Sequence, residues 1–448
     1  MMTPLWRGFS LEIQMTNPIP ALNQGQQAAA DGFFQFLFSP DKELIISGAG
    51  GVGKTFLMGR LIDEIMPRYH ETCALMGIKS EYDQVVMTAM TNKAADVLAQ
   101  ATGRPTSTIH SFMNLKVFDD FSSGESKLSK TSNWTVHQNK IIFIDECSMI
   151  DWPLLELIRE GTLKCKIVFV GDHSQLAPIK EPISPIYRAK LPFYELTEPM
   201  RNNSQPALMA LCQQLRETVA NGIFKPIQRV PGIIDHFDGP MMEAEIYRVF
   251  SQGQNNCRIL AYTNKQVVAY NDHIRGIRNL HDTYTLGEIF INNKAIQFKK
   301  GMLSVEEEFT IAALDPNTQL IDIDNGNAQL EIRMATLVDK FGTVYEGMPL
   351  PENKEHYNQL IHYYKKLKKW TVFYHLKNTY PDLRPRDAAT VHKSQGSTYD
   401  TVYVDLENLS TCHNPDLAAR LLYVAFTRAK NRIVLYGDLA PKYGGVIH

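Results

Sequence analysis

The chain is poor in cysteine, has no long apolar run and carries almost no net charge. Its six cysteines are scattered over 448 residues without a CxxC pair, so we expect neither a disulfide framework nor a zinc site, and a reducing compartment is favoured. No run of 18 apolar residues is present, which predicts that no helix spans a membrane. The net charge of −2 gives no global basic field, although a nucleic-acid groove needs only local charge.

Length and composition predict a globular protein with more than one domain. At 448 residues the chain is too long for one ordinary core, and we expect about two to four domains. Contents of 44% hydrophobic and 21% charged residues are typical of soluble globular proteins. The first residues lack the apolar segment of a signal peptide, so we interpret residues 1–17 as a disordered leader.

Short apolar runs alternate with amphipathic helices from Leu44 onward. Runs such as KIIFID, KIVFVGD, TVYVDL and NRIVLYGD are typical of buried strands that end in polar residues. Continuous apolar strands separated by helices predict an α/β fold with parallel sheets covered on both faces. Function in such sheets concentrates at the carboxyl ends of the strands, and the polar clusters of this chain fall there.

Two regions interrupt this alternation. Residues 112–140 have a Ser/Gly/Lys-rich centre between aromatic-bearing stretches, which predicts a protruding β-hairpin. Residues 282–383 contain period-2 segments joined by an Asn-Gly turn, followed by a helical pattern next to a run of lysines, which predicts a small β-barrel with a basic helix. We therefore predict a first α/β domain at 18–200, a second at 201–281 and 384–448, and an insertion at 282–383.

The stretch GAGGVGKT, residues 48–55, matches G-x-x-x-x-G-K-[ST] after a strand and at the start of a helix. Glycines let the backbone wrap phosphates, so that N–H groups and the helix N-terminus face the anion. Lys54 is expected to hold the β- and γ-phosphates of ATP, and Thr55 to ligate Mg²⁺. The predicted nucleotide-binding residues of this loop are Gly48, Gly50, Gly51, Val52, Gly53, Lys54 and Thr55.

Acidic and amide side chains follow two later strands. Asp145 and Glu146 end the strand IIFIDE; Asp145 suits the Mg²⁺ shell, and Glu146 is placed to orient or deprotonate the attacking water. Gln175 in VFVGDHSQLAPI can hydrogen-bond the γ-phosphate and sense its loss. The charge that develops on this phosphate also needs cations. Arg201 in LTEPMRNN and Arg428 in LLYVAFTRAKNR are the candidates.

These motifs resemble a known set in order and approximate spacing. GAGGVGKT, TAMTNKAA, STIHSF, IDECSM, GDHSQLAPI, LTEPMR, ATVHKSQGSTYD and LLYVAFTRAK are similar to the superfamily 1 helicase motifs. STIHS, DECSM and HKSQG are most similar to the RecD/Dda-like branch, which translocates 5′→3′ on single-stranded DNA. The resemblance covers roughly residues 20–437 and implies two RecA-like P-loop motor domains, with a hairpin insertion in the first and a β-barrel plus helices in the second.

The resemblance implies roles for further residues. LNQGQQAA resembles the upstream glutamine motif, so Gln26 would read adenine, although Met200 stands where many relatives carry an aromatic that stacks on that base. The hairpin at 112–140 would be the strand-separating pin, with Phe118 or Phe121 as the splitting aromatic; ordinary hairpin packing is the alternative. The basic helix would clamp the pin against DNA or form a solvated face. The residues that would contact DNA are Thr91, His110, Asn264, His392, Lys393 and Ser394.

The run ATVHKSQGSTYD permits three interpretations: a catalytic Ser/His pair, a metal site or a polar loop. The first is disfavoured because Glu146, the metal and the arginines already supply the chemistry. The second is disfavoured because a single histidine has no partner at ligand spacing. We therefore interpret residues 392–396 as a coupling loop, in which Gln395 reports on the nucleotide while the preceding three residues hold the DNA backbone.

Two functions of different classes fit the sequence. The first is a DNA-dependent ATPase that translocates 5′→3′ along single strands and unwinds duplex DNA, using ATP and Mg²⁺. The second is a P-loop ATPase switch or interaction protein without unwinding activity, which would need neither Arg428 nor the coupling loop. The first predicts single-stranded DNA and its junctions with duplex as partners. It also predicts a monomer that meets replication or single-strand-binding proteins in the cytoplasm of a bacterial or phage-infected cell.

Overall fold

The structure is a computed structural model that describes residues 20–178, 181–198, 205–253, 256–298 and 301–447. The predicted leader at 1–17 lies outside the described residues. So do Arg201, one of the two candidate phosphate-binding arginines, and Met200.

The first α/β domain contains a six-stranded parallel sheet. The π-helical turn Leu61–Ile65 joins two of its helices. Its elements, in chain order, are α1 (Gln24–Phe38), β1 (Glu43–Gly48), α2 (Lys54–Arg60), α3 (Met66–Leu75), β2 (Gln84–Ala89), α4 (Asn92–Thr102), β3 (Thr106–Thr108), α5 (Ile109–Phe112), β4 (Leu115–Asp119), β5 (Ser126–Lys130), β6 (His137–Gln138), β7 (Lys140–Asp145), α6 (Trp152–Glu160), β8 (Thr162–Leu163), β9 (Lys166–Gly171) and β10 (Phe193–Leu196).

The strands of this sheet lie in the order β10-β1-β9-β7-β2-β3. Both faces of the sheet are buried, as the continuous apolar strands predict. Alternate residues of β1 enter two different clusters: Leu44 and Ile46 pack on one side, and Ile45 packs on the other. The same alternation holds in β7, where Phe143 and Ile144 face opposite clusters. Because helices cover the two faces, polar side chains at the carboxyl ends of the strands are left at one edge of the sheet.

The second α/β domain begins with α7 (Pro206–Asn221), β11 (Ile227–Gln228), β12 (Ile234–Phe237), α8 (Gly239–Phe250), β13 (Cys257–Ala261) and α9 (Asn264–Ile277). An insertion then interrupts it. The elements of the insertion are β14 (Ile289–Asn292), β15 (Ile296–Phe298), β16 (Gly301–Leu303), β17 (Glu308–Asp322), β18 (Gln329–Asp339), β19 (Val344–Pro351), α10 (Lys354–Lys366), α11 (Trp370–Thr379) and β20 (Leu383–Pro385).

The second domain resumes with β21 (Ala388–Thr390), β22 (Tyr399–Asp405), α12 (Leu406–Ser410), α13 (Pro415–Thr427), β23 (Ala429–Tyr436) and β24 (Val446–Ile447). Its five-stranded sheet is entirely parallel, with the order β12-β23-β22-β13-β21. As in the first domain, both faces are covered: Val402 and Val404 of β22 pack in one cluster, and Tyr403 between them packs in the other.

The insertion is a five-stranded antiparallel sheet with the order β19-β18-β17-β14-β20, carrying α10 and α11. In the turn between β17 and β18, Asn325 and Gly326 both have positive φ values, of 50° and 86°. The Asp322 carboxylate accepts hydrogen bonds from the backbone N–H groups of Asp324 and Gly326. This pattern is that of a hairpin turn, in line with the interpretation of the Asn-Gly sequence.

The predicted fold class is confirmed. Two parallel-sheet α/β domains are present, with a β-hairpin (β4 and β5) inserted in the first and a β-rich segment with helices inserted in the second. None of the described helices combines the length and the hydrophobicity needed to cross a membrane.

Candidate nucleotide site and nucleic-acid interface

The loop between β1 and α2 has the backbone geometry that its glycines predict. Gly51 and Gly53 have φ values of 87° and 82°, in the left-handed region where a side chain is strained. Gly48 is needed for another reason, because a Cβ there would lie 2.7 Å from the carbonyl oxygen of Leu196 in β10. A Cβ on Gly50 would meet no atom of the described residues within 4 Å. The loop therefore leaves open space at its apex, where phosphates can approach the backbone.

Two predicted nucleotide-site residues contact this loop directly. The Lys54 ammonium donates hydrogen bonds to the carbonyl oxygens of Gly48, at 2.7 Å, and Ala49, at 3.0 Å. Gln26, buried in the first turn of α1, donates from its side-chain amide to the Val52 carbonyl at 3.1 Å. The upstream glutamine motif is thus held against the phosphate loop, and Lys54 has contacts that it can exchange for phosphate oxygens.

Asp145 and Glu146 lie at the end of β7. Glu146 has a left-handed backbone (φ 55°), and its N–H donates to Asp145 Oδ1 at 2.9 Å. Burial, together with the nearby Glu146 charge, raises the pKa of Asp145 to about 7, although the Lys54 ammonium opposes the shift. Asp145 lies near Lys54, and its carboxylate and the hydroxyl of Thr55 at the start of α2 are the kinds of oxygen ligand that Mg²⁺ prefers.

The third strand-end cluster follows β9. We call residues 172–175 the sensor segment. Its turn is closed by Asp172, whose Oδ1 accepts from the Ser174 N–H at 3.0 Å. Gln175 is buried, and its Oε1 accepts a 3.0 Å hydrogen bond from the side-chain amide of Gln395 in the coupling loop. The same amide lies 3.4 Å from Ser148 Oγ. The structure therefore brings two predicted sensor glutamines, one from each α/β domain, into direct contact.

Arg428 has contacts that the sequence did not indicate. Its buried guanidinium donates to the carbonyl oxygens of Val424 and Ser397 and to the hydroxyl of Thr427. All three partners belong to the second domain. In this structure the guanidinium of this candidate phosphate-binding arginine thus forms hydrogen bonds within its own domain, at the C-terminal end of α13.

Two side chains that the sequence analysis missed do reach from α13 to the sensor segment. Arg420 Nη1 donates to the carbonyl oxygens of His173 and Gln175, both at 2.6 Å. The Tyr423 hydroxyl donates to Asp172 Oδ2 at 2.6 Å. The sequence indicates these two residues only weakly. They are the polar groups in the otherwise apolar run LAARLLYVAF, and their spacing of three positions places them on one face of the helix.

Thr91 and the coupling loop lie together across the two domains. The Thr91 hydroxyl caps α4 by accepting from the Ala94 N–H at 3.1 Å. A Cβ added to Gly396 would sit 3.8 Å from that hydroxyl oxygen and from the Ala94 side chain. His110 lies in α5, and burial lowers its pKa. Burial also lowers the pKa of His392, whose ring centroid is 6.4 Å from that of Tyr262.

The other candidate DNA-binding residues have protein partners in this structure. Ser394 is fully buried and its hydroxyl donates to the Val391 carbonyl at 2.8 Å, so this hydroxyl is not presented to DNA here. Lys393 forms an ion pair with Glu306 of the insertion, with Nζ 3.1 Å from Oε1. Asn264, the first residue of α9, accepts from Arg384 at 3.3 Å.

The hairpin formed by β4 and β5 docks on the insertion through its turn. The Trp370 ring packs against Gly124, the Tyr374 hydroxyl donates to the Glu125 carbonyl at 3.2 Å, and Asn378 donates to Asp119 at 2.7 Å. All three contacts come from α11. The lysine-bearing helix that the resemblance assigned as the clamp is α10, which precedes α11 in the chain.

The two candidate pin aromatics differ in their surroundings. The Phe121 ring makes an edge-to-face contact with Tyr374, with centroids 5.0 Å apart. Phe118 lies on β4 opposite Lys127, and 46% of its surface is exposed. Phe121 is 54% exposed, so the structure leaves both rings on the surface of the hairpin and gives Phe121 the additional contact with Tyr374.

A P-loop, an acidic strand end and a second α/β domain in contact with the sensor segment define the class of two-domain P-loop ATPases. A family model described as an AAA domain matches residues 21–229, and one described as a UvrD-like helicase C-terminal domain matches residues 387–436. The resemblance to superfamily 1 helicases of the RecD/Dda-like branch is confirmed.

Individual relatives match along most of the chain. The "ATP-dependent DNA helicase dda" of Enterobacteria phage T4 is 24% identical, over 91% of this chain and 98% of its own. The "RecBCD enzyme subunit RecD" of Buchnera aphidicola is also 24% identical, over 76% of this chain and 64% of its own. Among solved structures, the Pif1 helicase from Candida albicans aligns with a TM-score of 0.48 and 16% identity, over 95% of this chain and 96% of that one.

Proposed function

We propose that this protein is an ATP-dependent DNA helicase that translocates 5′→3′ on single-stranded DNA and unwinds duplex DNA. The observation that carries this proposal is the hydrogen bond between Gln175 and Gln395. It joins the segment that follows a strand of the nucleotide-binding domain to the loop of the second domain that we assign to DNA. A motor needs such a connection, because ATP turnover has to change the grip on the strand.

The nucleotide chemistry is assigned to the first domain. The 48–55 loop binds the phosphates through its backbone N–H groups and Lys54, and Thr55 with Asp145 would hold Mg²⁺, which neutralises charge on the phosphate oxygens. Glu146 accepts a proton from the attacking water. Gln175 reports whether the γ-phosphate is present. Arg428 and Arg201 supply positive charge to the transferring group, Arg428 after leaving its contacts within the second domain.

We assign the DNA path to the surface where the two domains meet. Thr91 and His110 grip the strand from the first domain, and Asn264, His392 and Lys393 from the second; Ser394 supports the loop from inside. Opening and closing of the domains would then advance the strand. The β4–β5 hairpin acts as the pin that separates the duplex, because α11 holds its turn and keeps it rigid.

We further propose that the protein acts as a monomer at junctions of single-stranded and duplex DNA. The compartment would be the cytoplasm of a bacterial or phage-infected cell, where replication and single-strand-binding proteins are the expected neighbours. The phage and bacterial sources of the relatives support the proposed compartment.

Two measurements test the proposal. ATP hydrolysis is measured with and without a single-stranded oligonucleotide; strong stimulation is expected, and its absence would favour the P-loop switch instead. Strand release is then measured from duplexes that carry either a 5′ or a 3′ single-stranded tail. Release from 5′-tailed duplexes is expected, and release from 3′-tailed duplexes alone would overturn the polarity. Lys54→Ala serves as the inactive control in both assays.

A further inference from the structure

The sensor segment is held by the second domain through buried polar contacts beyond Gln395. The Tyr423 hydroxyl donates to Asp172 Oδ2 at 2.6 Å, and both side chains have 0% exposure. Burial and the Asp172 charge raise the pKa of Tyr423 well above its usual range, so the phenol stays protonated and donates. A hydrogen bond to a charged group at a water-free site is stronger than one between neutral groups at the surface.

Arg420 and Arg216 complete these contacts. Arg420 Nη1 donates to the carbonyl oxygens of His173 and Gln175, which flank the tip of the sensor segment. Arg216, on α7, forms an ion pair with Glu195 of the first domain, with Nη2 2.8 Å from Oε1. Its Nε also lies 3.8 Å from Asp172 Oδ1. Since α7 packs on α13 in one apolar cluster, the cationic groups reach the sensor segment from one rigid unit.

We propose that Arg420 and Tyr423 are positioning residues for ATP hydrolysis: they hold the sensor segment, and with it Gln175, in register with the γ-phosphate site. This inference rests on the proposed ATPase function. Their position on α13 also explains how the segment is linked to the phosphate-binding arginine. Arg428 follows Tyr423 by five residues, about 7.5 Å along the helix axis, so a displacement of the sensor segment moves Arg428 as well.

The alternative is that these contacts only fasten the two domains together. The chain offers a matched control that separates the two ideas. The Tyr270 hydroxyl also donates to a buried aspartate, Asp405 Oδ2, at 2.8 Å, but both of these residues belong to the second domain. Tyr423→Phe and Tyr270→Phe each remove one oxygen from a buried Tyr–Asp pair, so both are expected to lower the melting temperature.

The two variants should differ in kinetics. With saturating single-stranded oligonucleotide, Tyr423→Phe is expected to lower kcat by about fivefold to twentyfold, with KM for ATP changed by less than about twofold, since the phosphate loop is intact. Tyr270→Phe is expected to keep both constants. If Tyr423→Phe shows the kcat of Tyr270→Phe, the positioning role is wrong. A wild-type protein without DNA-stimulated hydrolysis would instead overturn the proposed function itself.

Arg420 supplies a second, independent test. Arg420→Ala should lower kcat in the same way as Tyr423→Phe, whereas Arg420→Lys should recover part of the loss, because a single ammonium can donate to two carbonyl oxygens as Nη1 does. Circular dichroism and melting temperature establish that both variants fold. Equal kcat for Arg420→Ala and the wild type, or equal loss in Ala and Lys variants that fold normally, would contradict the inference.

Discussion

The side-chain amide of Gln395 donates a 3.0 Å hydrogen bond to Oε1 of Gln175 across the interface between the two α/β domains. Both glutamines are buried, so the bond is shielded from competing water. Gln175 follows a strand of the nucleotide-binding domain, and Gln395 lies in the coupling loop beside Thr91. A conformational change at the nucleotide site or at the coupling loop therefore alters a hydrogen bond that involves the other.

We first predict that Gln395→Ala uncouples hydrolysis from DNA. Removing the amide leaves Gln175 Oε1 without its cross-domain donor, so DNA-stimulated kcat should fall by about tenfold. The phosphate loop is unchanged, and ATP affinity, measured by titration with a fluorescent nucleotide, should change by less than about twofold. Gln359→Ala, which removes an exposed amide on α10, is the matched control. Full stimulation in Gln395→Ala would show that the bond is not needed for coupling.

The second prediction concerns the two groups closest to the reaction. Lys54→Ala should abolish hydrolysis, because the ammonium that would leave the Gly48 and Ala49 carbonyls for the phosphates is gone. Glu146→Gln should retain ATP binding and lower turnover by about 10²- to 10⁴-fold, since an amide cannot accept the proton of the attacking water. Hydrolysis is followed by phosphate release. Rapid turnover by Glu146→Gln would remove that residue from its role; Glu156→Gln, on the exposed side of α6, controls for charge loss.

The sequence predicted those parts of the molecule that depend on neighbours in the chain. The phosphate loop needs a strand, glycines with positive φ and a helix start within one short segment, and all of these are local. Asp145 ends an apolar run, and Thr91 and Gln175 follow such runs within a few residues, so parallel strands bring all three to one edge of a sheet. The fold class followed from the same alternation of runs and helices.

Contacts made by irregular segments and across domains could not be predicted in this way. The 3₁₀ turn His392–Ser394 directs the Ser394 side chain into the protein. The order of polar residues in the sequence does not indicate this direction. Arg420 binds backbone carbonyl oxygens. Because every residue has a backbone carbonyl, the amino-acid type of the partner gives no indication that this contact forms. The pin contacts come from α11 because the chain turns at Lys368, which has a positive φ of 55°.

The third prediction tests the pair formed by Lys393 and Glu306. The Glu306 carboxylate pairs with the Lys393 ammonium at 3.1 Å and, if Lys393 binds DNA as proposed, would compete with DNA phosphates for it. Glu306→Gln should therefore tighten binding of a single-stranded oligonucleotide by about twofold to fivefold at low salt, the range expected for a partly exposed ion pair. Fluorescence anisotropy measures the affinity. Glu355→Gln, at an exposed position of α10, controls for the change in net charge.

Lys393→Ala completes this test. It should weaken DNA binding and make the slope of log affinity against log salt shallower by about one, because one phosphate contact is lost. In the Lys393→Ala background, Glu306→Gln should then have no further effect. Combining His392→Ala with Lys393→Ala should weaken binding more, while ATP binding stays nearly intact. If Glu306→Gln strengthens DNA binding equally with and without Lys393, the carboxylate acts by general repulsion and not through this pair.

The fourth prediction distinguishes the two pin aromatics. Both rings are exposed, but Phe121 contacts Tyr374 of α11, so we expect Phe118 to be the ring that enters a splitting base pair. Phe118→Ala should lower the unwinding rate of a forked duplex by about tenfold, since base–aromatic stacking is lost. Translocation along single-stranded DNA and its ATPase rate should stay within about twofold. Val117→Ala, at the neighbouring position whose side chain points to the opposite face of the strand, is the control.

Release of the pin from α11 should affect unwinding in a different manner. Trp370→Ala removes the ring that packs on Gly124, so the hairpin turn gains freedom and transmits less force to the junction. Unwinding should therefore slow with a steeper dependence on the G·C content of the duplex, while Phe118→Ala slows all duplexes by a similar factor. Single-turnover strand separation on duplexes of matched length separates these patterns. Wild-type unwinding by both Trp370→Ala and Phe118→Ala would mean that the hairpin does not act as the pin.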